Sequence, residues 1–308
     1  MNTYLEQLTI RLAIAIAALD PETRSRHSQW LLGLQRADGG FSGREGESDL
    51  YYTSFGLRGL SMLGELHGEP AERAAAFLGG KLTTQQTIID FLSLIYGGFL
   101  LDMSAGIDIF ADAAPNWRDA VASTLESLRL KDGGYAKGPE GRASSTYHSF
   151  LVTICLQLLE RTPPSPELLV QFIYSQAADD GGFREIRAGK RAGTNPTAAA
   201  IATLQILNGL SDDYREDTVD FLAEMQTDEG GLRANTRIPI ADLLSSFTGL
   251  LTLFELGGED EVDRRKIRKY ARSLEVAGGG FYGAVWDEVA DVEYTFYGLG
   301  VLALCGAT

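Results

Sequence analysis

The sequence predicts an all-α fold in which six helical hairpins close into a ring, an α6/α6 barrel. Pairs of glycines followed by an apolar residue recur along the chain, and each pair is expected to end one helix of a hairpin. The pairs are Gly39-Gly40, Gly133-Gly134, Gly181-Gly182, Gly230-Gly231 and Gly279-Gly280. Their second glycines lie 94, 48, 49 and 49 residues apart. A fixed period near 49 indicates an array of one supersecondary unit, and the first interval, close to two periods, suggests a hairpin that has lost its glycines.

Each repeat predicts one outer and one inner helix. An amphipathic stretch precedes the glycines; in the last repeat its apolar face carries Ile267, Tyr270, Ala271 and Leu274. After the glycines and a loop of about ten residues comes a run that is apolar nearly all round, such as VEYTFYGLGVLAL. A helix without a polar face must be buried on all sides. The glycine pair ends the outer helix, because glycine tolerates positive φ.

The inner helices share an opening pattern. In most of them a short polar residue is followed by a small residue four positions later and by glycine or a small residue seven positions later. The openings are Asp49, Asp90, Ser145, Asn195, Asp242 and Asp291. Asp90, with Gly97 seven residues later, restores the missing repeat, and all six residue types favour the N-cap position. The continuous period predicts a single domain over residues 1–308.

Composition narrows the possible partners. The chain of 308 residues has a net charge of -15, which argues against nucleic acid or an anionic membrane as default partners. No apolar run is expected to span a bilayer, and the N-terminal segment is predicted to be a first helix. Cys155 and Cys305 lie in apolar runs without a CxxC spacing, so we expect buried, reduced thiols and a cytoplasmic protein.

Three segments carry a resemblance to a known family. WLLGLQRADGGF, FIYSQAADDGGF and FLAEMQTDEGGL, with Gln35, Gln176 and Gln226, resemble the repeat shared by protein prenyltransferase β subunits and squalene or oxidosqualene cyclases. This resemblance implies an α/α toroid that binds an isoprenoid or isoprenyl diphosphate in a central apolar cavity. It also implies a possible helical partner subunit.

Two of the three zinc ligands implied by the resemblance are replaced in this sequence. The family uses an Asp-x-Cys at the start of the fifth inner helix, where Asp242 is present but Leu244 replaces the cysteine. A histidine follows the aspartate that opens the sixth inner helix; here Asp291 is followed by Tyr294 at that position. We therefore expect no zinc of the family type. A displaced site of Asp242, Asp291 and Glu293 would suit magnesium better, since its ligands are all oxygens.

Head-group binding is predicted for basic residues in the loops of the fourth and fifth repeats. They are Arg184, Arg187, Lys190, Arg191, Arg233 and Arg237. Arginine forks match phosphate oxygens, and such a cluster stands out in an acidic chain. The family's diphosphate-binding histidine and arginine are replaced by Asn195 and Tyr147. The alternative interpretation is a solvated loop that balances nearby acids.

Aromatic residues of the inner helices could hold an isoprenoid tail, or they could be ordinary core. They are Tyr51, Tyr52, Phe55, Tyr147, Phe150, Tyr294, Phe296 and Tyr297. Of these, Tyr51, Tyr147 and Tyr294, together with His148 and Trp286, are the predicted substrate-binding residues. Asp242 and Asp291 are the predicted catalytic acids, because two close carboxylates raise one another's pKa; N-capping is the alternative.

The sequence therefore favours a prenyltransferase-β-like protein that binds an isoprenoid or its diphosphate without the family zinc. Two alternatives stay open. One is a terpene cyclase with an atypical acid, since the chain has no Asp-x-Asp-Asp run. The other is a non-catalytic interaction module that kept the toroid and lost its chemistry.

Overall fold

The computed structural model describes residues 3–83, 87–189 and 191–306, and within them helices dominate. The helices are α1 Tyr4–Ala17, α2 Pro21–Leu34, α3 Leu50–Leu63, α4 Gly68–Gly79, α5 Ile88–Ala105, α6 Trp117–Glu126, α7 Thr146–Leu158, α8 Pro166–Tyr174, α9 Thr194–Ile206, α10 Arg215–Ala223, α11 Leu243–Leu256, α12 Arg264–Ser273 and α13 Val292–Leu304. Short 3-10 turns cover Asp212–Tyr214 and Glu259–Glu261, and β1 Tyr135–Ala136 pairs antiparallel with β2 Ser144–Ser145. After α1, outer and inner helices alternate as predicted.

The chain forms two compact units. Unit 1 combines Met1–Trp117 with Ala271–Thr308, and unit 2 is the continuous segment Arg118–Tyr270. In unit 1, α3 packs against α5, α13, α1 and α2, and α4 packs against α5. In unit 2, α9 lies between α7 and α11, with α8 against α9 and α10 against α11. The single domain over 1–308 stays a prediction.

The first glycine of each predicted pair adopts the positive-φ turn that the sequence predicted. Gly39, Gly133, Gly181, Gly230 and Gly279 all have positive φ. At Gly181 an added Cβ would lie 2.2 Å from the carbonyl oxygen of Asp217 in α10. Each turn thus touches the backbone of an outer helix so closely that no side chain fits. The turn at Gly279 meets α2 instead, near Arg26 and Trp30, so the last repeat of unit 1 packs on its first outer helix.

A hydrogen bond that the sequence reading missed joins every such turn to its inner helix. The backbone N–H after each glycine pair donates to a serine or threonine hydroxyl in the first turns of the inner helix. The pairs in the described chain are Phe41–Thr53, Tyr135–Ser149, Phe183–Thr197, Leu232–Ser246 and Phe281–Thr295, at 2.9–3.1 Å. We call this the hydroxyl clasp. Four residues after the openings Asp49, Ser145, Asp242 and Asp291, the small residue of the pattern is therefore the acceptor of a buried amide. In the fourth hairpin the acceptor Thr197 lies four residues after the true cap, Gly193.

Glycine seven positions into the pattern has a packing role. An added Cβ at Gly298 would lie 2.4 Å from the Phe281 ring, and one at Gly56 would lie 2.7 Å from Phe41. The residue after each glycine pair is fully buried, so the inner helix needs a gap to receive it.

A polar residue near the end of the outer helix links consecutive hairpins. Gln35 Nε2 donates to the carbonyl of its turn glycine at 2.9 Å and to Pro70 at 2.8 Å, and Gln226 makes the equivalent pair of bonds. Arg129 takes this position in the third hairpin. Gln176 lies one residue out of register, since Ala177 forms the bridge to Phe183.

In the sixth hairpin this position is Glu275, which forms a half-buried charged cluster within unit 1. Its carboxylate accepts from His27 Nε2 at 3.0 Å and from Arg272 at 2.7 Å, and it also contacts Arg26. His27 is fully buried and its Nδ1 accepts from the N–H of Gly280 at 3.1 Å. The sequence reading had given this histidine no role.

Two of the six predicted N-caps are wrong. In α5, Thr87 is the N-cap and Asp90 is the third residue of the helix, and the two form a reciprocal capping box. In α9, Gly193 is the N-cap, so Asn195 lies two residues inside the helix. Asp49, Ser145, Asp242 and Asp291 do cap their helices. The second hairpin also keeps two glycines, Gly79 and Gly80, but they end α4 in right-handed geometry and form no positive-φ turn.

Helix α5 corrects the expectation about membrane-spanning length. At 18 residues it is long and apolar enough to cross a bilayer, and within the described chain it alone meets that test. Of that window, 56% is buried against the rest of the protein, and α5 packs on α3 and α4 as a core helix. Cys155 and Cys305 are both buried, as predicted, and within the described chain they form no disulfide.

Candidate functional site

In unit 2 the start of α7 carries a hydrogen-bonded relay of three side chains. The Ser145 hydroxyl donates to Glu185 and lies 2.8 Å from His148 Nδ1. A hydroxyl has one hydrogen, so Nδ1 must be the donor to Ser145, and the neutral ring leaves Nε2 as an acceptor. Burial lowers the pKa of His148, with Lys137 acting in the same direction. The ring is therefore neutral near pH 7.

The loops after the glycine pairs are tied to the inner helix of the preceding hairpin. Thr146 is the first residue of α7. Its N–H donates to the backbone carbonyl of Glu185 at 2.9 Å, and its hydroxyl donates to the backbone carbonyl of Arg184 at 2.6 Å. Thr194 makes the equivalent bonds to Ala234 and Arg233. These ties hold the loops of the fourth and fifth hairpins over the N-terminal ends of α7 and α9.

The predicted basic cluster separates into two kinds of arginine. The guanidinium of Arg184 donates to the carbonyl of Ala177 at 2.6 Å, and that of Arg233 to Glu224 at 3.1 Å. Both fold back onto the C-terminal ends of outer helices, where cations complement the helix dipole. Their contacts support the loops, and the structure does not gather them with the other arginines.

Arg187, Arg191 and Arg237 are exposed on the same two loops. Arg191 reaches Thr236 at 3.4 Å, which joins the loop of the fourth hairpin to that of the fifth beside Arg237. Among the described residues none of these three arginines forms an ion pair with an acid. Lys190 lies outside the described residues. Tyr147 is 38% exposed at the start of α7, its ring edge-on to His148.

In unit 1 the loops of the first and sixth hairpins hold an ion-pair network built on Arg44. Its Nε donates to Asp291 at 2.9 Å and its Nη1 to Asp287 at 2.8 Å. The second oxygen of the Asp287 carboxylate also accepts from the N–H of Gly283. Although burial opposes it, hydrogen bonding to Arg44 keeps the pKa of Asp287 below its usual value. The sequence reading did not anticipate Arg44.

The two predicted catalytic aspartates are both N-caps, and both oxygens of each carboxylate accept a hydrogen bond. Asp291 accepts from the N–H of Tyr294 through one oxygen and from Arg44 through the other. Asp242 accepts from the N–H and the hydroxyl of Ser245 at 2.7 and 2.9 Å. Burial raises the pKa of Asp242, while its bonds to Ser245 lower it. Since the two aspartates belong to different units, their pairing stays a prediction.

The predicted aromatics of unit 1 form a cluster between α3 and α13. Phe55 contacts Phe296 and Tyr297 with ring centroids 5.7 and 5.4 Å apart, and Tyr51 stands edge-on to Phe55 at 5.1 Å. Tyr294 contacts Tyr297. Phe55 and Phe296 are buried, whereas Tyr51, Tyr52 and Tyr294 are half-buried. The centre of the cluster is therefore packed core, as one interpretation of the sequence expected. The rings at its edge are partly open, which the other interpretation, binding of an isoprenoid tail, requires.

Glu293 and Arg58 place opposite charges beside this cluster. Glu293 accepts from the Tyr51 hydroxyl at 2.7 Å, and burial raises its pKa while the charge of Arg58 lowers it. The Arg58 guanidinium lies 4.6 Å from the Phe55 ring centroid and 4.8 Å from that of Tyr96. Arg58 is the single lysine or arginine in the six inner helices of the described chain, a signal that the sequence analysis overlooked.

Trp286 lies in the exposed loop of the sixth hairpin. Its side chain is 67% exposed in the loop of the sixth hairpin, between the exposed Val285 and the Arg44-bound Asp287. Large aromatic residues are rarely so exposed without a partner. Its role in substrate binding stays a prediction.

The residues present do not fit the family's zinc ion. Leu244 has no donor atom, and the oxygens of Asp242 are occupied by Ser245. Within the described ranges, no group of three or more His, Cys, Asp or Glu side chains could hold a metal ion. A displaced magnesium site stays a prediction without support from the described geometry.

Comparison with known proteins identifies the family. The family model for the prenyltransferase alpha-alpha toroid domain matches residues 12–95 and 197–308. The β subunit of protein farnesyltransferase from Schizosaccharomyces pombe is 28% identical over 160 residues, which cover 48% of this chain and only 40% of that relative.

Solved structures share the fold at low sequence identity. Candida albicans protein geranylgeranyltransferase-I complexed with GGPP matches with a TM-score of 0.74 and 17% identity, covering 91% of this chain and 90% of that one. The type II terpene cyclase MstE from Scytonema matches with a TM-score of 0.62 and 13% sequence identity, and the match covers 98% of both chains. The GH76A alpha-1,6-mannanase from Salegentibacter matches at 0.63 and 12%, with coverage of 92% and 98%.

Repeated helical hairpins with a glycine turn and a hydroxyl clasp define an all-α toroid protein. The chain belongs to the prenyltransferase α/α toroid family, and the predicted fold class is confirmed. Since a mannanase shares this fold with prenyltransferases and terpene cyclases, the fold alone does not fix the reaction.

Proposed function

We propose that this protein binds an isoprenyl diphosphate through Arg187, Arg191 and Arg237 of unit 2, without the zinc ion of protein prenyltransferases. One observation carries the proposal. Three exposed arginines without acidic partners lie on two joined loops of an acidic chain, in a family whose members include isoprenoid-binding enzymes. Phosphate oxygens are the ligands that such guanidinium groups recognise best.

Other features of the chain support parts of this proposal. Within unit 2, the exposed Tyr147 and the half-buried Phe150 of α7 offer aromatic surface for an isoprenoid tail. Leu244 at a ligand position argues against thiolate activation by zinc, so transfer to a protein cysteine by the family mechanism is not proposed. A helical partner subunit and a cytoplasmic location are further proposals. The partner follows from likeness to the farnesyltransferase β subunit, and the location from the two buried cysteines.

Calorimetric titration with geranylgeranyl diphosphate and with inorganic diphosphate tests the head-group site. Arg187→Glu with Arg191→Glu should weaken both ligands by about a hundredfold or more, because two charge-assisted hydrogen bonds are lost and replaced by repulsion. The matched control is Arg265→Glu with Lys269→Glu, which makes the same charge change on exposed positions of α12. Unchanged affinity in the loop variant, or an equal loss in the control, would contradict the proposal.

Metal analysis and native mass spectrometry test the remaining parts. We expect no stoichiometric zinc, and zinc at one equivalent would contradict our interpretation of Leu244 and Tyr294. A co-purified isoprenoid would support lipid binding. If the titrations detect neither ligand, the non-catalytic interaction module becomes the better account of the chain.

A further inference from the structure

The same two loops of unit 2 expose aliphatic side chains beside their arginines. Ile238 is 38% exposed and Ile240 37%, and residues 236–240 form a continuous exposed tip with the sequence Thr-Arg-Ile-Pro-Ile. On the neighbouring loop Ile186 is 37% exposed, next to Arg187. Single exposed aliphatic side chains are common on protein surfaces, but three of them on two joined loops offer an apolar surface that a partner can cover.

The charge on these loops has one sign. Between residues 186 and 193 and between residues 233 and 241 the sequence contains no aspartate or glutamate. Three acids lie nearby: Glu185 is half-buried and accepts from Ser145, Asp242 caps α11, and the exposed Glu229 accepts from the N–H of Ala241 at 2.8 Å. In a chain of net charge -15 this is a local reversal of sign. Its complement is a surface that is anionic at its face and apolar underneath.

A bilayer containing anionic phospholipid has that structure. Isoleucine tips a few residues long can enter the boundary between head groups and acyl chains, while flanking arginines pair with phosphates. A proline between the two isoleucines limits the conformations of the tip, so less entropy is lost on insertion. Repulsion from the rest of the acidic chain is screened beyond roughly 8 Å at physiological salt.

We propose that the exposed tips of these two loops, Ile186–Arg187 and Arg237–Ile240, dock unit 2 on an anionic membrane surface. The proposal differs from the expectation drawn from net charge, because the arginines of these loops give them a local charge that opposes the net charge of the chain. The proposal goes beyond diphosphate binding and does not depend on it. A membrane is where long isoprenoid chains partition, so the docked loops would lie at the source of such a ligand.

Vesicle flotation with the full chain tests the docking. The protein should float with vesicles of phosphatidylcholine and phosphatidylglycerol at low salt, and stay behind with pure phosphatidylcholine. Ile238→Ser with Ile240→Ser should lower the partition coefficient for the mixed vesicles by about tenfold to a hundredfold, since two aliphatic side chains no longer insert. Leu168→Ser, on an exposed leucine of α8 in the same unit, is the matched control and should float like the parent.

The charge requirement is tested separately. Arg187→Gln with Arg237→Gln should reduce binding by roughly fivefold for each arginine and remove most of its dependence on salt. The proposal is overturned if the parent protein ignores anionic vesicles, or if the isoleucine variant floats as well as the parent. Equal losses in the Leu168→Ser control would also overturn it. The isoleucine variant should still bind inorganic diphosphate, so failure of docking and failure of the head-group site give different results.

Discussion

The hydroxyl clasp makes a quantitative prediction about one buried amide in unit 2. Thr197 in α9 is fully buried, and its hydroxyl accepts from the N–H of Phe183 at 2.9 Å. Thr197→Val keeps the shape but leaves that amide without an acceptor. An unsatisfied buried amide costs about 1–3 kcal/mol, and the added methyl group recovers at most about 0.8 kcal/mol. We expect a net loss of about 1–2 kcal/mol.

Thr203 on the same helix is a matched control. It is equally buried, but its hydroxyl only donates to the carbonyl of Ala199 one turn earlier, at 2.7 Å. Thr203→Val therefore leaves no donor unsatisfied, and the carbonyl of Ala199 remains free to accept a helical hydrogen bond. We expect its effect to stay within about 0.5 kcal/mol.

Two assays distinguish the variants. Urea unfolding should show the loss for Thr197→Val and almost none for Thr203→Val. Hydrogen exchange should show the Phe183 amide losing protection in Thr197→Val alone. Thr197→Ser, which restores an acceptor, should recover the protection. Equal destabilisation by the two valine variants, or an unchanged Phe183 amide, would refute the assignment of the clasp as a satisfied buried donor.

Three further predictions follow from other positions. Gly181→Ala should lower the free energy of unfolding by about 3 kcal/mol or more, because φ is positive and a Cβ would meet the Asp217 carbonyl. The control is Gly33→Ala in α2, which has open space around it and should be neutral or stabilising in the same unfolding assay. Glu275 is half-buried, yet its bonds to His27 and Arg272 hold its pKa at about 2, below the usual 4.5, so it contributes stability above pH 4.5 that is lost as pH falls towards 2. Glu275→Gln should remove about 3 kcal/mol near pH 7 and flatten the unfolding profile over that range; an unchanged profile would contradict this. Arg58→Met should raise the pKa of Glu293, followed by carbon NMR titration, because the charge that lowers it is gone; an unmoved midpoint would show that the two groups do not interact.

The fold was predictable because its signals are local and repeated. A glycine pair at a fixed period, followed by an apolar run, specifies a turn that only glycine can make and a helix that must be buried. The register of helix starts was less secure. Asn195 lies two residues after the true N-cap, Gly193. Glycine has no capping side chain, so the sequence carries no clear signal at that position. The clasp residues were seen only as small, since a hydroxyl acceptor cannot be recognised without knowing its donor.

The candidate site was less predictable, because its partners are distant in sequence. Arg184 and Arg187 have the same residue type and lie on the same loop, yet one supports an outer helix and the other faces solvent. From sequence alone, Asp291 could be a helix cap or a catalytic acid. The structure adds that Arg44, 247 residues away, donates a hydrogen bond to its carboxylate. Arg58 was detectable as the single lysine or arginine among the apolar inner helices of the described chain. Its aromatic neighbours on α5 and α13 come only from the tertiary arrangement.

The assembly of unit 1 from two distant segments has a consequence for synthesis on the ribosome. The surface of α2 that receives the Gly279 turn, and the buried His27 that needs Glu275, are made early, but their partners come after Ala271. Between Trp117 and Ala271 lie the 153 residues of 118–270, which take roughly 8–30 s to translate. Unit 2 has no such interruption and can fold as it emerges. The nascent N-terminal hairpins must therefore wait with an apolar face uncovered, which makes this stretch a natural client for chaperones.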